Sequence, residues 1–282
     1  MKKYLHLFDL DYTLWKLDEK LAVIDKRDPK NIIFRIPSDE QSFMKEYYRN
    51  NGFEISYNGY TWYLNENLYN KIKSSKKGIE LENIGISYRE FTCDEILENQ
   101  IFKTDYLLEN LNHLKNDRNI EVGYISARLD RKGLKKNIDT LTEKVERILH
   151  TKINKMYFVN NMDNNMDSDI TSVRKAKIIL EFLTGFKIKG NRFVDLKQTV
   201  YDNINFYDDD TNNIEGVLNL QFMLEKYLLK SEISIKKQIL ERIKNNKIYY
   251  TTNLVTQNRI EPFITKEQQL LLPNYIKLFE QF

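Results

Sequence analysis

Apolar and polar positions follow two rhythms along this chain. Near its start, "KYLHLFD" is an apolar run of strand length that stops at an acid, the pattern of a strand buried on both faces. Runs of the same kind recur as "IEVGYIS", "KMYFVN" and "NINFYD". Between and after them, "KGLKKNIDTLTEKVERILH", "SVRKAKIILEFLTGF" and "NIEGVLNLQFMLEKYLL" carry apolar residues at the three-to-four spacing of amphipathic helices. Alternation of strand and helix from Ile120 onward predicts an α/β fold with a parallel sheet and right-handed crossovers.

The stretch between the first and second of these strands reads differently. In "EISYNGYTWYL", Asn58-Gly59 separates two aromatic, β-prone arms and predicts a hairpin, because both turn residues can take positive φ. "NIIFRI" supplies a further strand, "ENLYNKIKSSKKG" a helix, and residues 93–117 a helical pattern. Beyond residue 230, "SIKKQILERIKNN" predicts a helix and "KIYYTTNLVT" an edge strand or appended element. The expected organisation is a catalytic core of residues 1–18 and 118–230, a hairpin-and-helix cap or flap insertion at 19–117, and a helix-and-strand extension at 231–282.

Composition narrows the function classes. With 44 Lys and Arg against 41 Asp and Glu, the net charge of +3 argues against a nucleic-acid coat protein while leaving room for a local basic surface. One cysteine, Cys93, excludes an intramolecular disulfide and a cysteine-based zinc site, and three scattered histidines argue against a histidine-rich metal site. No apolar run approaches the roughly 18 residues of a membrane helix, and the start is too short for a signal peptide. A cytoplasmic chain with no membrane partner is therefore expected; its oligomeric state is left open.

Three strands end in chemistry-bearing residues: Asp9 and Asp11 on the first, Ser126 and Arg128 on the second, Asp208 and Asp209 on the last. Ligands of open α/β sheets bind outside the carboxyl ends of the strands, so adjacent strands bring these groups together. A lysine of the intervening helix, Lys175 or Lys177, can join them. The set is coherent for phosphoryl transfer. Asp9 and an acid near position 208 are hard oxygen ligands for Mg²⁺, which also answers the repulsion between clustered carboxylates. Asp9 can then attack phosphorus to form an aspartyl-phosphate, with Asp11 as general acid and then general base. Ser126 and the lysine hold the phosphoryl oxygens.

The arrangement resembles the haloacid dehalogenase superfamily of phosphotransferases. Its first motif, Asp-x-Asp-x-Thr after an apolar strand, matches "LFDLDYT"; the second matches "VGYIS" at Ser126; the fourth, an acid pair, matches "INFYDD". The resemblance implies a Rossmann-like parallel sheet, Asp9 as nucleophile, Asp11 as acid/base with its backbone carbonyl on the metal, and Thr13 as helper of the loop. It implies Mg²⁺ held by Asp9, Asp11, Asp208 and Asp209, and a single motif lysine. Ile178, Ile179, Phe182 and Leu183 follow Lys175 at helical spacing and favour it, with Lys177 as the alternative. "YISAR" with "FYDDDTNNI" is similar to polynucleotide 3′-phosphatase and RNA-repair domains, although that branch reads Thr-Gly-Arg where this chain reads Ser-Ala-Arg.

The expected activity is hydrolysis of a phosphomonoester by a phosphoric monoester hydrolase, on a phosphorylated small molecule, a nucleotide or a nucleic-acid end. Thr13, Arg128 and Lys177 are the candidate substrate contacts. The alternative is a catalytically weak binding or assembly module of the same fold. A Gly-rich phosphate loop of the GxxxxGK[ST] type is absent, so a kinase step is not expected. In the hairpin, Tyr57, Tyr60, Trp62 and Tyr63 offer faces for stacking on a base or else stabilise the hairpin by cross-strand pairing. "RKGLKK" reads as a solvated helix face, His6 as a packed residue of the first strand, and Cys93 as inert.

Overall fold

The computed structural model describes residues 2–11, 13–17, 20–37, 52–57, 60–75, 78–87, 100–102, 119–127, 135–149, 151–159, 171–255 and 263–273. The chain begins β1 (Tyr4–Phe8), β2 (Trp15–Leu17), β3 (Lys20–Asp25), β4 (Asp28–Pro37), β5 (Phe53–Tyr57), β6 (Tyr60–Leu64), α1 (Glu66–Ser75), β7 (Ile84–Ser87) and β8 (Gln100–Phe102). It continues β9 (Ile120–Ser126), α2 (Lys135–Leu149), β10 (Ile153–Phe158), α3 (Thr171–Thr184), β11 (Phe186–Lys189), β12 (Arg192–Lys197) and β13 (Asn203–Asp208). The last described elements are α4 (Thr211–Leu218), α5 (Leu220–Leu229), α6 (Ile233–Asn245), β14 (Tyr249–Val255) and β15 (Phe263–Gln269). Two compact units result: Met1–Lys16 with Phe102–Phe282, and Leu17–Ile101.

The first unit is an α/β layer structure on a six-stranded sheet of order β10-β9-β1-β13-β14-β15. All neighbours are parallel except β14 and β15. Both faces of the sheet are covered, which is why its central strands are apolar on both parities. On one face Leu5, Leu7, Ile125, Ile204 and Phe206 pack with α3, α5 and α6 through residues such as Ile179, Leu224 and Ile239. On the other, Phe8 stacks on Tyr207 at 4.3 Å between ring centroids. His6 lies in the same layer, bonded through Nδ1 to the Tyr207 hydroxyl at 2.9 Å and approached at Nε2 by Asn205 Nδ2 at 3.2 Å. It is a satisfied core histidine.

The second unit, inserted after β1, holds small antiparallel sheets: β4-β3-β7 and the hairpin β5-β6. Tyr57 pairs with Tyr60, so the two arms of the predicted hairpin pair as the pattern requires, while residues 58 and 59 lie outside the described residues. The buried side of this hairpin is structural: Ile55, Trp62 and Leu64 join Leu68 and Ile72 of α1 in the unit's own core. Tyr57 lays its ring against Gly85. Trp62, at 4% exposure, therefore presents no face for base stacking. The outgoing β2 and returning β8 form a separate two-stranded sheet.

Four local expectations change. The helical pattern at 93–117 contains a strand, β8, while the rest of that stretch and Cys93 lie outside the described residues. One predicted helix over 213–229 is two, broken at Asn219, whose side-chain amide caps the Glu215 carbonyl at 3.0 Å and so competes with helix propagation. "KIYYTTNLVT" is interior to the sheet, because β15 adds the true edge beyond it. The β11-β12 hairpin was not anticipated. Its signals are Gly185 and Gly190, at φ +84° and +57°: the first ends α3 and the second starts the turn in which Lys189 pairs with Arg192.

Glu181 joins α3 to that hairpin. Its buried carboxylate accepts the Ile188 amide at 2.7 Å and Lys187 Nζ at 2.9 Å. Burial raises its pKa above 4.5, although Ile188 and Lys187 oppose the shift. A raised carboxyl binds its proton more tightly in the folded state, so its contribution to stability falls as pH rises from about 4.5 through the folded value. Glu181→Gln keeps an acceptor for Ile188, and its stability relative to wild type is expected to improve with rising pH. Glu181→Ala orphans the buried amide and is expected to cost about 1–3 kcal/mol. Urea denaturation of both variants across pH 4–8 checks the two outcomes.

Candidate active site

Register places the site. Phe8 pairs with Tyr207 on one side and Tyr124 on the other, so the next residue, Asp9, leaves β1 beside Asp208 and Ile125. The Asp9 amide continues the ladder by donating to the Tyr207 carbonyl at 2.8 Å. Alternation puts Asp9 and Asp208 on the Leu7 and Phe206 parity, the face covered by α3. There Lys175 Nζ lies 2.6 Å from Asp9 Oδ1 and 2.7 Å from Asp208 Oδ2. All three side chains are buried.

The triplet Asp208-Asp209-Asp210 divides its work. Asp208 closes β13 and takes the Lys175 ion pair, the Asp210 backbone amide at 2.9 Å, and Asn213 Nδ2 at 3.0 and 3.1 Å from its two oxygens. Asp209, half-buried, accepts the Thr13 hydroxyl at 3.3 Å. Asp210 caps α4, its side chain accepting the Asn212 amide at 2.9 Å. Carboxylate oxygens of Asp9, Asp208 and Asp209 all lie within 4.8 Å of one another and form a group able to hold a metal ion.

Electrostatics sharpen the picture. Burial pushes the Asp9 carboxyl well above the usual carboxylate range; Lys175 pulls it back, while Asp208, Asp11 and Asp209 push it up again. One ammonium is shared among too many acids to hold Asp9 at an ordinary value. Burial by itself would lower the Lys175 pKa, yet the charges and hydrogen bonds of Asp208 and Asp9 hold it above its ordinary value. Burial and the neighbouring acids thus make an unneutralised Asp9 carboxylate costly, a cost that a proton or a bound cation relieves.

Other sequence-derived candidates are placed as follows. Asp11 is half-buried beyond the end of β1, and Thr13 is fully buried with its hydroxyl on Asp209. Ser126 is fully buried at the carboxyl end of β9, the strand beside β1. Lys175 and Lys177 are separated: Lys177 is buried with its ammonium 5.7 Å from the Tyr227 ring centroid, while Lys175 makes the pairs with the acids. Two residues along a helix is about 200° around it, so only one of them can face the strand ends. Arg128 and residues 131–134 of "RKGLKK" lie outside the described residues.

Asn213 was missed by sequence reasoning. A signal existed: Asp210 is a helix-capping residue type, and a polar residue three positions later sits in the first turn, where side chains reach back toward the preceding strand.

Lys175→Met would leave Asp9 and Asp208 buried without their shared counter-charge. The expected cost is about 3–5 kcal/mol at neutral pH, read from chemical denaturation of the metal-free chain. Comparison with family models, with curated proteins and with solved structures finds no match for this chain.

Proposed function

We propose that this chain is a Mg²⁺-dependent phosphatase of the haloacid dehalogenase type, hydrolysing a phosphomonoester through an aspartyl-phosphate on Asp9. The observation that carries the reading is the cluster of Asp9, Asp208 and Asp209 at the ends of adjacent parallel strands, with Lys175 bonded to the first two. Its donors are hard carboxylate oxygens, which suits Mg²⁺, a hard cation that takes oxygen ligands and keeps sites for water and phosphate. Asp9, Asp208 and Asp209 would hold it, with the Asp11 carbonyl that the motif resemblance adds. A bound cation would offset the acids and polarise a phosphoryl oxygen.

The chain's own residues supply the rest. An Asp9 oxygen attacks phosphorus, and the bond to the leaving oxygen breaks as that oxygen takes a proton from Asp11. Asp11 is half-buried, with part of its surface open to solvent. In the second half, Asp11 takes a proton from water as that water attacks the acyl phosphate, releasing phosphate and regenerating Asp9. Lys175 holds Asp9 in place and neutralises part of the charge that gathers on the transferring group. Ser126, at the end of the neighbouring strand, is the hydroxyl that the motif resemblance assigns to a phosphoryl oxygen. A nucleotide or nucleic-acid 3′-phosphate end is the substrate class favoured by the "YISAR" and "FYDDDTNNI" resemblance.

Phosphate release from an aryl phosphate is expected to require Mg²⁺ and to fall about a thousandfold or more in Asp9→Asn. Undetectable turnover across a broad panel of phosphomonoesters with Mg²⁺ present would overturn the reading. Faster release from a 3′-phosphorylated oligonucleotide than from mononucleotides is the expected substrate order.

A further inference from the structure

The Asp208 carboxylate is held from three directions. Lys175 donates to Oδ2 at 2.7 Å, the Asp210 amide donates to Oδ1 at 2.9 Å, and Asn213 Nδ2 reaches Oδ1 at 3.0 Å and Oδ2 at 3.1 Å. A carboxylate has about four lone-pair sites, and three donors meet this one, the Asn213 nitrogen being shared between both oxygens, so capacity remains for a cation. The three anchors differ in what they fix. An ammonium is a compact charge on a flexible stem and follows either oxygen as the carboxylate rotates. The backbone amide fixes one oxygen only. Asn213 spans both, so it sets the plane of the group.

Asn213 is itself well placed for such a task. It is 7% exposed and sits in the first turn of α4, whose start is fixed by the Asp210 cap. Its backbone amide bonds the Asp210 carbonyl at 3.0 Å, so main chain and side chain are both tied to the same strand end. An aspartate at this position would replace the donor by a second carboxylate facing Asp208. The amide is therefore the functional part of the side chain.

We propose that Asn213 is a positioning residue of the acidic site: by donating to both Asp208 oxygens, it fixes that carboxylate in the orientation from which it shares a divalent cation with Asp9 and Asp209. The inference rests on the reading of the cluster as a cation site given above. Asn213 acts through Asp208 and needs no contact with substrate. Hydrogen-bond partners of ligating groups typically govern metal affinity by about 10–100-fold.

The test is isothermal titration of Mg²⁺ and Mn²⁺ into the full chain, with circular dichroism and thermal unfolding of each metal-free variant alongside. Asn213→Ala and Asn213→Asp are both expected to weaken binding by about 10–100-fold while retaining the wild-type spectrum. Asn213→Asp separates positioning from charge, since a site responding only to negative charge would bind the cation more tightly. Asn213→Ser, short and suited to a first turn, replaces the alanine variant if that one fails to fold. Wild-type binding with unchanged or tighter affinity in the folded variants overturns the role of Asn213 and leaves the cation site standing. A wild-type chain that binds neither ion removes the cation reading and this inference with it.

Discussion

A lysine ammonium buried between two aspartates is the constraint around which the first unit is arranged. Lys175, Asp9 and Asp208 come from α3, the end of β1 and the end of β13, which are distant in the sequence. Removing such charges from water is tolerable only when each finds its partner at close range. The sheet register must therefore deliver Asp9 and Asp208 side by side and on the α3 face. Slipping β13 by one residue against β1 would turn Asp208 to the Phe8–Tyr207 layer and leave Lys175 with one acid.

The apolar packing that surrounds this pair serves the same register. Leu5 and Leu7 on β1, and Ile204 and Phe206 on β13, share one buried layer with Ala176 and Ile179 of α3. The hydrophobic surface that seats α3 on the sheet also places its first turns over the strand ends, where Lys175 meets the acids. On the far face, the Phe8–Tyr207 stack and the His6–Tyr207 bond lock the same two strands together. Both faces thus specify one alignment.

Several acids crowd the centre of this arrangement, and the local turn divides them among different tasks. Within three consecutive aspartates, one ion-pairs, one accepts a buried threonine hydroxyl, and one caps a helix. The cap anchors α4, α4 carries Asn213, and Asn213 returns to the first aspartate. The six-residue stretch from Asp208 to Asn213 closes on itself and fixes an acid that would otherwise rotate. Asp9 stands beside it, its carboxyl pushed well above the usual range by burial and by its acidic neighbours.

Much of this was legible in the linear pattern. Apolar runs ending in acids marked β1 and β13, the helical spacing around Lys175 marked α3, and Asn58-Gly59 marked the turn between β5 and β6. These signals are local: they depend on periodicity and turn chemistry within a few residues. The chain alone favoured Lys175 by its helical spacing and kept Lys177 as the alternative, since both sit on one helix and only its packing decides which face meets the strand ends. It could not show that β14 is interior, because that depends on β15 pairing beyond it, or that Trp62 is core, because the cluster it joins is drawn from β3, β4, β5, β7 and α1. Asn213 belongs with these: a polar residue in a first turn is unremarkable until the fold brings its amide against a carboxylate. Sequence by itself marked the core strands, most of the helices and the acids at the strand ends; tertiary structure decided which of them meet, because partnership of buried charges and faces is set by contacts between residues far apart along the chain.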